Sequence, residues 1–102
     1  MKRDLMIVIE TTETCLTLDE LCEICQIPEE FVYDLVADKI IFPAKDRRGE
    51  WVFDMVQLQR IKTVIRLQQD LEINLAGVAV VMDLLDEMER LKAKAALLDR
   101  LL

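Results

Sequence analysis

A proline at position 28 separates two short amphipathic segments, and this break constrains the fold more than any other feature of the sequence. In the segment before it, apolar side chains recur at spacings of three and four, as on one face of a helix: Leu18, Leu21, Cys22 and Cys25. Thr17 or Asp19 can cap this helix of about two turns. Pro28 disfavours helical geometry at Ile27 and suits the first position of a following helix. The sequence therefore predicts two helices joined by a tight turn.

The second helix is predicted over about residues 28–37, with a charged outer face. Its apolar inner face consists of Phe31, Val32, Leu35 and Val36. Two short helices with apolar inner faces and a tight turn describe a helix-turn-helix. Residues 40–43 are then expected to run extended, residues 45–49 to turn, and residues 51–53 to return as a strand, which together form a wing. A further strand is expected at residues 5–10, where β-branched side chains are frequent.

Two more helices are predicted in the C-terminal half. Asp54 can cap the first, which is expected to end near residue 69 and to have this inward face: Val56, Leu58, Ile61, Val64, Ile65 and Leu67. After a polar break at residues 69–70, Asn74 can cap a long last helix. That helix carries an apolar heptad seam: Val81, Leu84, Met88, Leu91, Ala95, Leu98 and Leu102. The seam needs a partner, either the preceding helix or a second copy of the chain, so we expect a helical hairpin or a coiled coil and favour a homodimer.

Length and composition fit one compact, mainly α domain. The chain has 102 residues and is 53% hydrophobic, which suffices for a modest core without metals or disulfides. We expect a single domain over residues 1–102, with a winged helix-turn-helix part at 1–54 and a helical part at 55–102. No stretch approaches the roughly 20 apolar residues of a membrane span, and no secretory signal is recognisable. Because three cysteines cannot all pair within one chain, we expect reduced thiols and a cytoplasmic protein.

The charge of the chain is acidic and unevenly distributed. The net charge is −7, and residues 1–38 hold ten acidic and two basic side chains. This N-terminal third carries −8, whereas the remainder carries +1. Such a distribution repels a polyanion and favours a partner with a basic patch. Nucleic acid is therefore not expected as the main ligand.

The sequence lacks the residues of the common catalytic sites. It contains no serine and no histidine, which excludes Ser-His and Cys-His pairs. Cys22 and Cys25 have Cys-x-x-Cys spacing, but with Cys15 as the one other thiol a closed zinc site would need carboxylates or a second chain, so packing is the preferred interpretation. The two glycines form no phosphate-binding loop. We expect no enzyme activity, no cofactor, no metal and no small-molecule ligand.

The order of elements from Leu18 to Leu91 resembles the MerR-type winged helix. The likeness is carried by LDELCEICQIP in the first helix and turn, RRGEWVFD in the wing, and VQLQRIKTVIRLQQDL in the next helix. The chain resembles the CbpM family of chaperone-modulatory proteins more closely. That family has WVFD after the wing, a helix end like RLQQDL and a last helix that starts like GVAVVMDL, found here at residues 51–54, 66–71 and 77–84.

The chain departs from the DNA-binding members of the MerR type at the groove-facing positions. Those members have an arginine and aromatic residues within the second helix, where this chain has YDL at residues 33–35. Their wing carries a Gly-Tyr-Arg run, where this chain has GEW at residues 49–51, so that Arg47 and Arg48 remain as the basic tip. Carboxylates beside phosphates weaken binding. We interpret the second helix as a DNA-reading shape whose surface suits a basic protein.

The resemblance to CbpM implies that the chain binds the J-domain of CbpA, a DnaJ-like co-chaperone, blocks its stimulation of DnaK and lowers its DNA binding. J-domains present a basic helix to DnaK, which suits an acidic competitor. The candidate partner-binding residues lie on the second helix and in the wing: Glu29, Glu30, Tyr33, Asp34, Asp38 and Trp51. A rival acidic group on the last helix comprises Asp83, Asp86, Glu87 and Glu89. The alternative is a MerR-like regulator that binds DNA as a dimer through Lys45, Arg47 and Arg48.

Overall fold

The computed structural model describes residues 15–102. The chain divides into two compact units, one ending at Arg66 and the other running from Leu67 to Leu102. Within the described residues the first unit contains a small three-stranded sheet, two short helices and most of a third, and the second unit contains a long helix. The fold is therefore mainly α, as expected. The strand predicted at residues 5–10 lies outside the described residues.

Helix α1 spans Leu18–Cys25 and is capped by Thr17, one of the two caps that the sequence predicts, while Asp19 lies in the first turn. The Glu20 amide donates to Oγ1 of Thr17 at 3.2 Å, and the Thr17 amide donates to Oε1 of Glu20 at 2.9 Å. This reciprocal pair satisfies two backbone N–H groups that the first turn cannot satisfy itself. Leu21 is fully buried, and the helix ends at Gln26, which adopts left-handed geometry with φ 57°.

Helix α2 spans Glu29–Ala37, so that Pro28 occupies the capping position and not, as predicted, the first helical one. Val32 and Leu35 on its predicted inner face are fully buried, while Phe31 and Val36 are half-buried. Left-handed Lys39, with φ 60°, ends the helix, and Ile40 and Ile41 then turn directly into the core. The short helix is thus packed on the core through the middle of its inner face and through the residues that follow its C-terminus.

The sheet is antiparallel and small, with β1 at Leu16–Thr17, β2 at Ala44–Lys45 and β3 at Trp51–Phe53 in the order β1-β3-β2. The wing hairpin of β2 and β3 confirms the predicted turn and return strand. Its first strand starts later than predicted because Ile40 and Ile41 are core residues and Pro43 has no N–H for the ladder. Strand β1, which pairs Leu16 with Phe53, was not predicted, since two residues carry no recognisable pattern.

Helix α3 spans Met55–Leu71, and Asp54 caps it by accepting the Gln57 amide at 3.1 Å. Ile61 and Val64 are fully buried as predicted, but the prediction for Val56 was wrong, because its side chain is 61% exposed. The neighbouring residue Gln57 points into the core in place of Val56 and is only 8% exposed. The side-chain Oε1 of Gln57 accepts the amide of Phe42 at 2.9 Å. A buried amide thereby satisfies a backbone N–H in the segment that leads into the wing.

Helix α3 also continues through the predicted break at residues 69–70 and ends where Glu72 adopts φ 52°. Helix α4 then spans Leu75–Leu101, and Oδ1 of Asn74 accepts the Gly77 amide at 2.8 Å, which confirms the predicted cap. Its buried residues, Val78 and Met82, lie outside the predicted seam.

The predicted seam of α4 is solvent-exposed along most of its length. Val81 is half-buried, whereas Leu84, Met88, Leu91 and Leu98 are 49–59% exposed. Ala95 is exposed too, and Leu102 follows the last helical residue. The pairing of this seam, whether within the chain or with a second copy, stays a prediction. Within residues 15–102 no helix combines the length and the apolar character that a membrane crossing requires.

Candidate functional site

Three aromatic rings connect the core of the first unit to its surface. The rings of Tyr33 on α2 and Trp51 on β3 meet edge to face, with centroids 5.6 Å apart. Trp51 in turn meets the fully buried Phe53 at 6.2 Å, because residues two apart on a strand point to the same side of the sheet. Trp51 is half-buried, and Tyr33 is 47% exposed. The structure therefore brings these two candidate residues together as an aromatic pair.

A surface cavity of about 420 Å³ lies beside this pair. It is lined by residues 17–19 at the start of α1, by Tyr33, and by residues 49–51 of the wing. Asp19 and Glu50 contribute carboxylates to the lining, and among the described residues that line it none is basic. The cavity walls are therefore aromatic and acidic. Its volume falls within the range of about 300–1,000 Å³ typical of ligand pockets.

Asp19 and Glu50 were not among the predicted site residues. The sequence indicates Asp19 only as a possible helix cap and Glu50 only as a departure from the wing of DNA-binding proteins. The one signal in the sequence is their charge. Both residues are acidic, and in a winged helix-turn-helix the start of α1 and the wing lie next to α2. Sequence spacing alone does not show that positions 19, 33 and 50 meet, because long-range packing brings them together.

The acidic face of α2 remains a candidate surface next to this cavity. Glu29, Glu30 and Asp34 are exposed, and within residues 15–102 no ion pair joins them to a basic side chain. Glu29 and Glu30 occupy the first turn, where negative charge favours a helix. Asp34 and the capping residue Asp38 stand at the opposite end, where the last turn holds no basic residue. Helix stability therefore accounts for the first pair of carboxylates but not for the second.

The rival acidic group lies on α4 in the second unit, where it is partly neutralised. Glu87 accepts two hydrogen bonds from the guanidinium of Arg90, at 3.0 and 2.6 Å. This contact holds the pKa of Glu87 below its usual range. Glu89 lies 3.9 Å from the Lys92 ammonium, while Asp83 and Asp86 are on the exposed surface of the same helix. A larger share of the carboxylates is therefore paired with basic side chains in the α4 group than on α2.

The tip of the wing carries exposed basic side chains on a well-defined turn. Oδ1 of Asp46 accepts the amides of Arg48 at 2.8 Å and Glu50 at 3.0 Å. The hydrogen bond from the Glu50 amide, followed by that from Arg48, lowers the pKa of Asp46. Gly49 adopts φ 80°, which L-residues rarely take. The turn thus fixes the main chain of Glu50 at the cavity while Arg47 and Arg48 remain exposed.

The three cysteines are unpaired and half-buried. Burial is the main cause that raises the pKa of each thiol, and nearby Glu29 and Asp19 raise the pKa of Cys22 further. A raised pKa keeps the thiols protonated at neutral pH and lowers their reactivity. In the described part of the chain, no cluster of three or more histidine, cysteine, aspartate or glutamate residues is arranged to hold a metal ion.

Comparison with known proteins identifies related chains. Residues 16–100 match the family model described as MerR HTH family regulatory protein. The chain is 35% identical over 94 residues to the chaperone modulatory protein CbpM of Coxiella burnetii, which covers 92% of this chain and 88% of that protein. It is 30% identical over 83 residues to CbpM of Pseudomonas entomophila, covering 81% and 82% of the two chains. CbpM of Salmonella newport is 30% identical over 82 residues, covering 80% and 81%.

Proposed function

The chain belongs to the CbpM family of chaperone modulatory proteins, with the helix-turn-helix of the MerR regulators, and from this we propose that it modulates a chaperone system by binding the J-domain of a DnaJ-like co-chaperone of the CbpA type. It acts by occupying a surface and catalyses no reaction. The observation that carries the proposal is the acidic outer face of α2 beside the Tyr33 and Trp51 pair. A basic helix that docks there is no longer available to DnaK.

The physical roles of the two kinds of side chain differ. Carboxylates on α2 attract the basic helix of a J-domain over distances of about one Debye length, roughly 8 Å at physiological salt. They determine mainly the rate of encounter and the selectivity. The aromatic pair supplies contact area at low entropic cost, because Tyr33 is already oriented by Trp51, and Trp51 by the buried Phe53. Specific binding therefore combines an electrostatic rim with a preorganised aromatic anchor.

A pull-down with an isolated J-domain tests this proposal. We expect the wild-type chain to capture the J-domain, and the Glu30→Lys, Asp34→Lys double variant to lose about tenfold or more in affinity, because two attractive charges become repulsive. The matched control is Asp70→Lys with Asp99→Lys, which changes the net charge equally at exposed positions near helix C-termini. Failure of the wild type to capture any J-domain contradicts the function. Equal losses in both double variants contradict the α2 face.

The charge group on α4 is the alternative docking face. A third double variant, Asp83→Lys with Glu87→Lys, examines it in the same assay. We expect a smaller loss than for the α2 variant, since Arg90 already neutralises Glu87. A larger loss in this variant would move the docking surface to α4 and leave the function itself intact.

We also propose the assembly and location of the active form. Residues 1–54 supply the binding surface, and residues 55–102 form a homodimer through the exposed seam of α4. Four seam side chains at 49–59% exposure are available for such pairing. A cytoplasmic location agrees with three unpaired thiols.

A second function, DNA binding as a MerR-like regulator, is favoured by the family match over residues 16–100 and by exposed Lys45, Arg47 and Arg48 in the wing. A salt titration with duplex DNA distinguishes it from the first. A steep loss of measurable affinity with rising salt supports the regulator. Absence of binding at moderate salt supports the chaperone modulator, whose net charge of −7 opposes a polyanion.

A further inference from the structure

The cavity beside Tyr33 and Trp51 combines two features that together select a cation. Two aromatic rings held at 5.6 Å, with planes 60° apart, form part of its wall. Carboxylates of Asp19 and Glu50 form another part. Aromatic faces attract cations through the ring quadrupole, and carboxylates attract them through charge. The carboxylates repel an anion and offer an apolar group no favourable interaction.

Apart from the Thr17 hydroxyl, which belongs to the capping box, the polar side chains of this wall make no hydrogen bond or ion pair with the described part of the chain. Within residues 15–102, no hydrogen bond or ion pair engages the carboxylates of Asp19 and Glu50, the Tyr33 hydroxyl or the Trp51 indole N–H. Glu50 contributes to the wing turn through its main chain alone. The side chains are therefore available to a ligand at little cost, while the capping box and the wing turn hold their backbones in place.

The shape of the cavity favours a side chain that projects from a protein surface. It is bordered by exposed residues, including Asp19, Tyr33 and Glu50, so that it opens to solvent beside the acidic face of α2. A guanidinium is planar, stacks on aromatic rings and donates two parallel hydrogen bonds to a carboxylate, whereas an ammonium acts as a point charge and remains more strongly hydrated. An arginine therefore uses both walls better than a lysine does.

We propose that this cavity is a specificity pocket for one arginine side chain of the protein partner, with the guanidinium against Tyr33 and Trp51 and paired with Asp19 and Glu50. This inference rests on the proposed function for the identity of the partner. It assigns Asp19 and Glu50, which lie on separate elements, to partner recognition. The acidic face of α2 attracts the partner, and the pocket determines which basic residue is accepted.

The tryptophan in the wall provides a direct readout, since Trp51 is the single tryptophan of the chain. The full chain is titrated with the peptide acetyl-Gly-Arg-Gly-amide while the Trp51 emission is recorded. Peptides with lysine or with citrulline, which has nearly the shape of arginine but no charge, are the comparisons. We expect a saturable change with arginine, a weaker affinity for lysine and no response to citrulline. Equal responses to arginine and citrulline overturn the pocket.

Variants of the two carboxylates identify the site of the response. Asp19→Asn and Glu50→Gln remove the charges with little change of shape, and each is expected to raise the half-saturation concentration about three- to tenfold. Glu23→Gln, an exposed residue of α1 outside the cavity lining, is the matched control and is expected to leave the titration unchanged. Thermal unfolding verifies that each variant is folded. Unchanged titrations in both cavity variants overturn the proposal.

The same variants distinguish this inference from the proposed function. If wild-type chain binds the J-domain and the Asp19→Asn, Glu50→Gln double variant loses about tenfold or more in affinity, both proposals are supported. If the double variant binds the J-domain as tightly as wild type, the pocket is wrong and the function stands. If wild type binds the arginine peptide but no J-domain, the function is wrong and the pocket stands. Where both proposals are supported, arginine-to-citrulline replacement in a J-domain helix peptide locates the accepted residue.

Discussion

Asp34 and Asp38 carry negative charge at the end of α2, where the helix dipole is also negative. A carboxylate in the last turn of a helix lowers its stability, and no basic residue in that turn compensates. Their presence is explained if the partner, and not the helix, benefits from them. Binding surfaces commonly retain residues that cost the folded state some stability.

We therefore predict that Asp34→Asn raises the free energy of unfolding by about 0.3–1 kcal/mol and weakens J-domain binding. Urea denaturation at low salt measures the first effect. Asp19→Asn is the control and should lower the free energy of unfolding, because Asp19 lies in the first turn of α1, where its charge favours the helix. A loss of stability in Asp34→Asn would contradict this account of the α2 surface.

Asp46 organises the wing through one oxygen that accepts two backbone amides. Its pKa in the folded chain is lowered from the ordinary value of 3.8, chiefly by the hydrogen bond from the Glu50 amide. The stabilising contribution is therefore fully present above pH 3.8 and is lost as the pH falls through the lowered pKa of the folded state.

We predict that Asp46→Ala increases amide hydrogen exchange at Arg48 and Glu50 near neutral pH, and that its difference from wild type shrinks as the pH falls below 3.8. Asp46→Asn retains an acceptor oxygen whose charge does not titrate, so that its exchange rates at these amides should lack this pH dependence. NMR-detected exchange measures both. A difference that persists unchanged at acidic pH contradicts the assigned role of the carboxylate.

At the scale of elements, the helix caps are the part that local sequence determines best. Thr17 with Glu20, Asp54, and Asn74 all act as caps, and the sequence predicted a cap at each of these helix starts. A cap depends on a side chain and an amide two or three residues away, so that no tertiary information is needed to recognise it.

We predict that Asn74→Ala lowers the stability of α4 by about 1 kcal/mol, because the Gly77 amide loses its acceptor. Asn74→Asp retains an acceptor oxygen at the same position and should retain most of the stability. Hydrogen exchange of the amides at residues 75–78 and thermal unfolding measure the effect. Equal destabilisation by both substitutions contradicts the capping role.

Elements and positions that depend on long-range packing were predicted less well. Periodicity placed Val56 inside, whereas the core accepts Gln57, whose amide oxygen binds the Phe42 N–H from a distant segment. Strand β1 exists through its pairing with β3. The cavity likewise depends on the meeting of α1, α2 and the wing. The sequence predicted the fold class and the caps of α1, α3 and α4. It named Tyr33 and Trp51 as candidates, but the position of Asp19 and Glu50 beside them required coordinates.

At the scale of the whole molecule, the proposed recognition surface and the exposed apolar seam lie in different units of the chain. The acidic side chains of α2 and the cavity belong to the first unit, and the exposed apolar seam belongs to α4 of the second. An exposed apolar stripe of this length favours association, since large exposed apolar patches are rare on monomeric proteins.

We predict that Leu91→Lys converts a dimer to a monomer, because it places a charge in the apolar seam. Ala93→Lys adds the same charge to an exposed position of α4 outside the seam and should leave the dimer intact. Sedimentation velocity over a range of protein concentrations measures both. A monomeric wild type, or equal behaviour of the two variants, contradicts dimerisation through the seam.

Within residues 15–102, three helix ends are closed by residues other than glycine in left-handed geometry: Gln26, Lys39 and Glu72. An L-residue in this conformation costs roughly 1–2 kcal/mol, which glycine avoids. Replacing these residues by glycine is therefore a route to a higher unfolding temperature. None of the three lines the cavity or belongs to the seam. A heat-resistant form for crystallisation or long storage can be sought there while the recognition chemistry is left as it is.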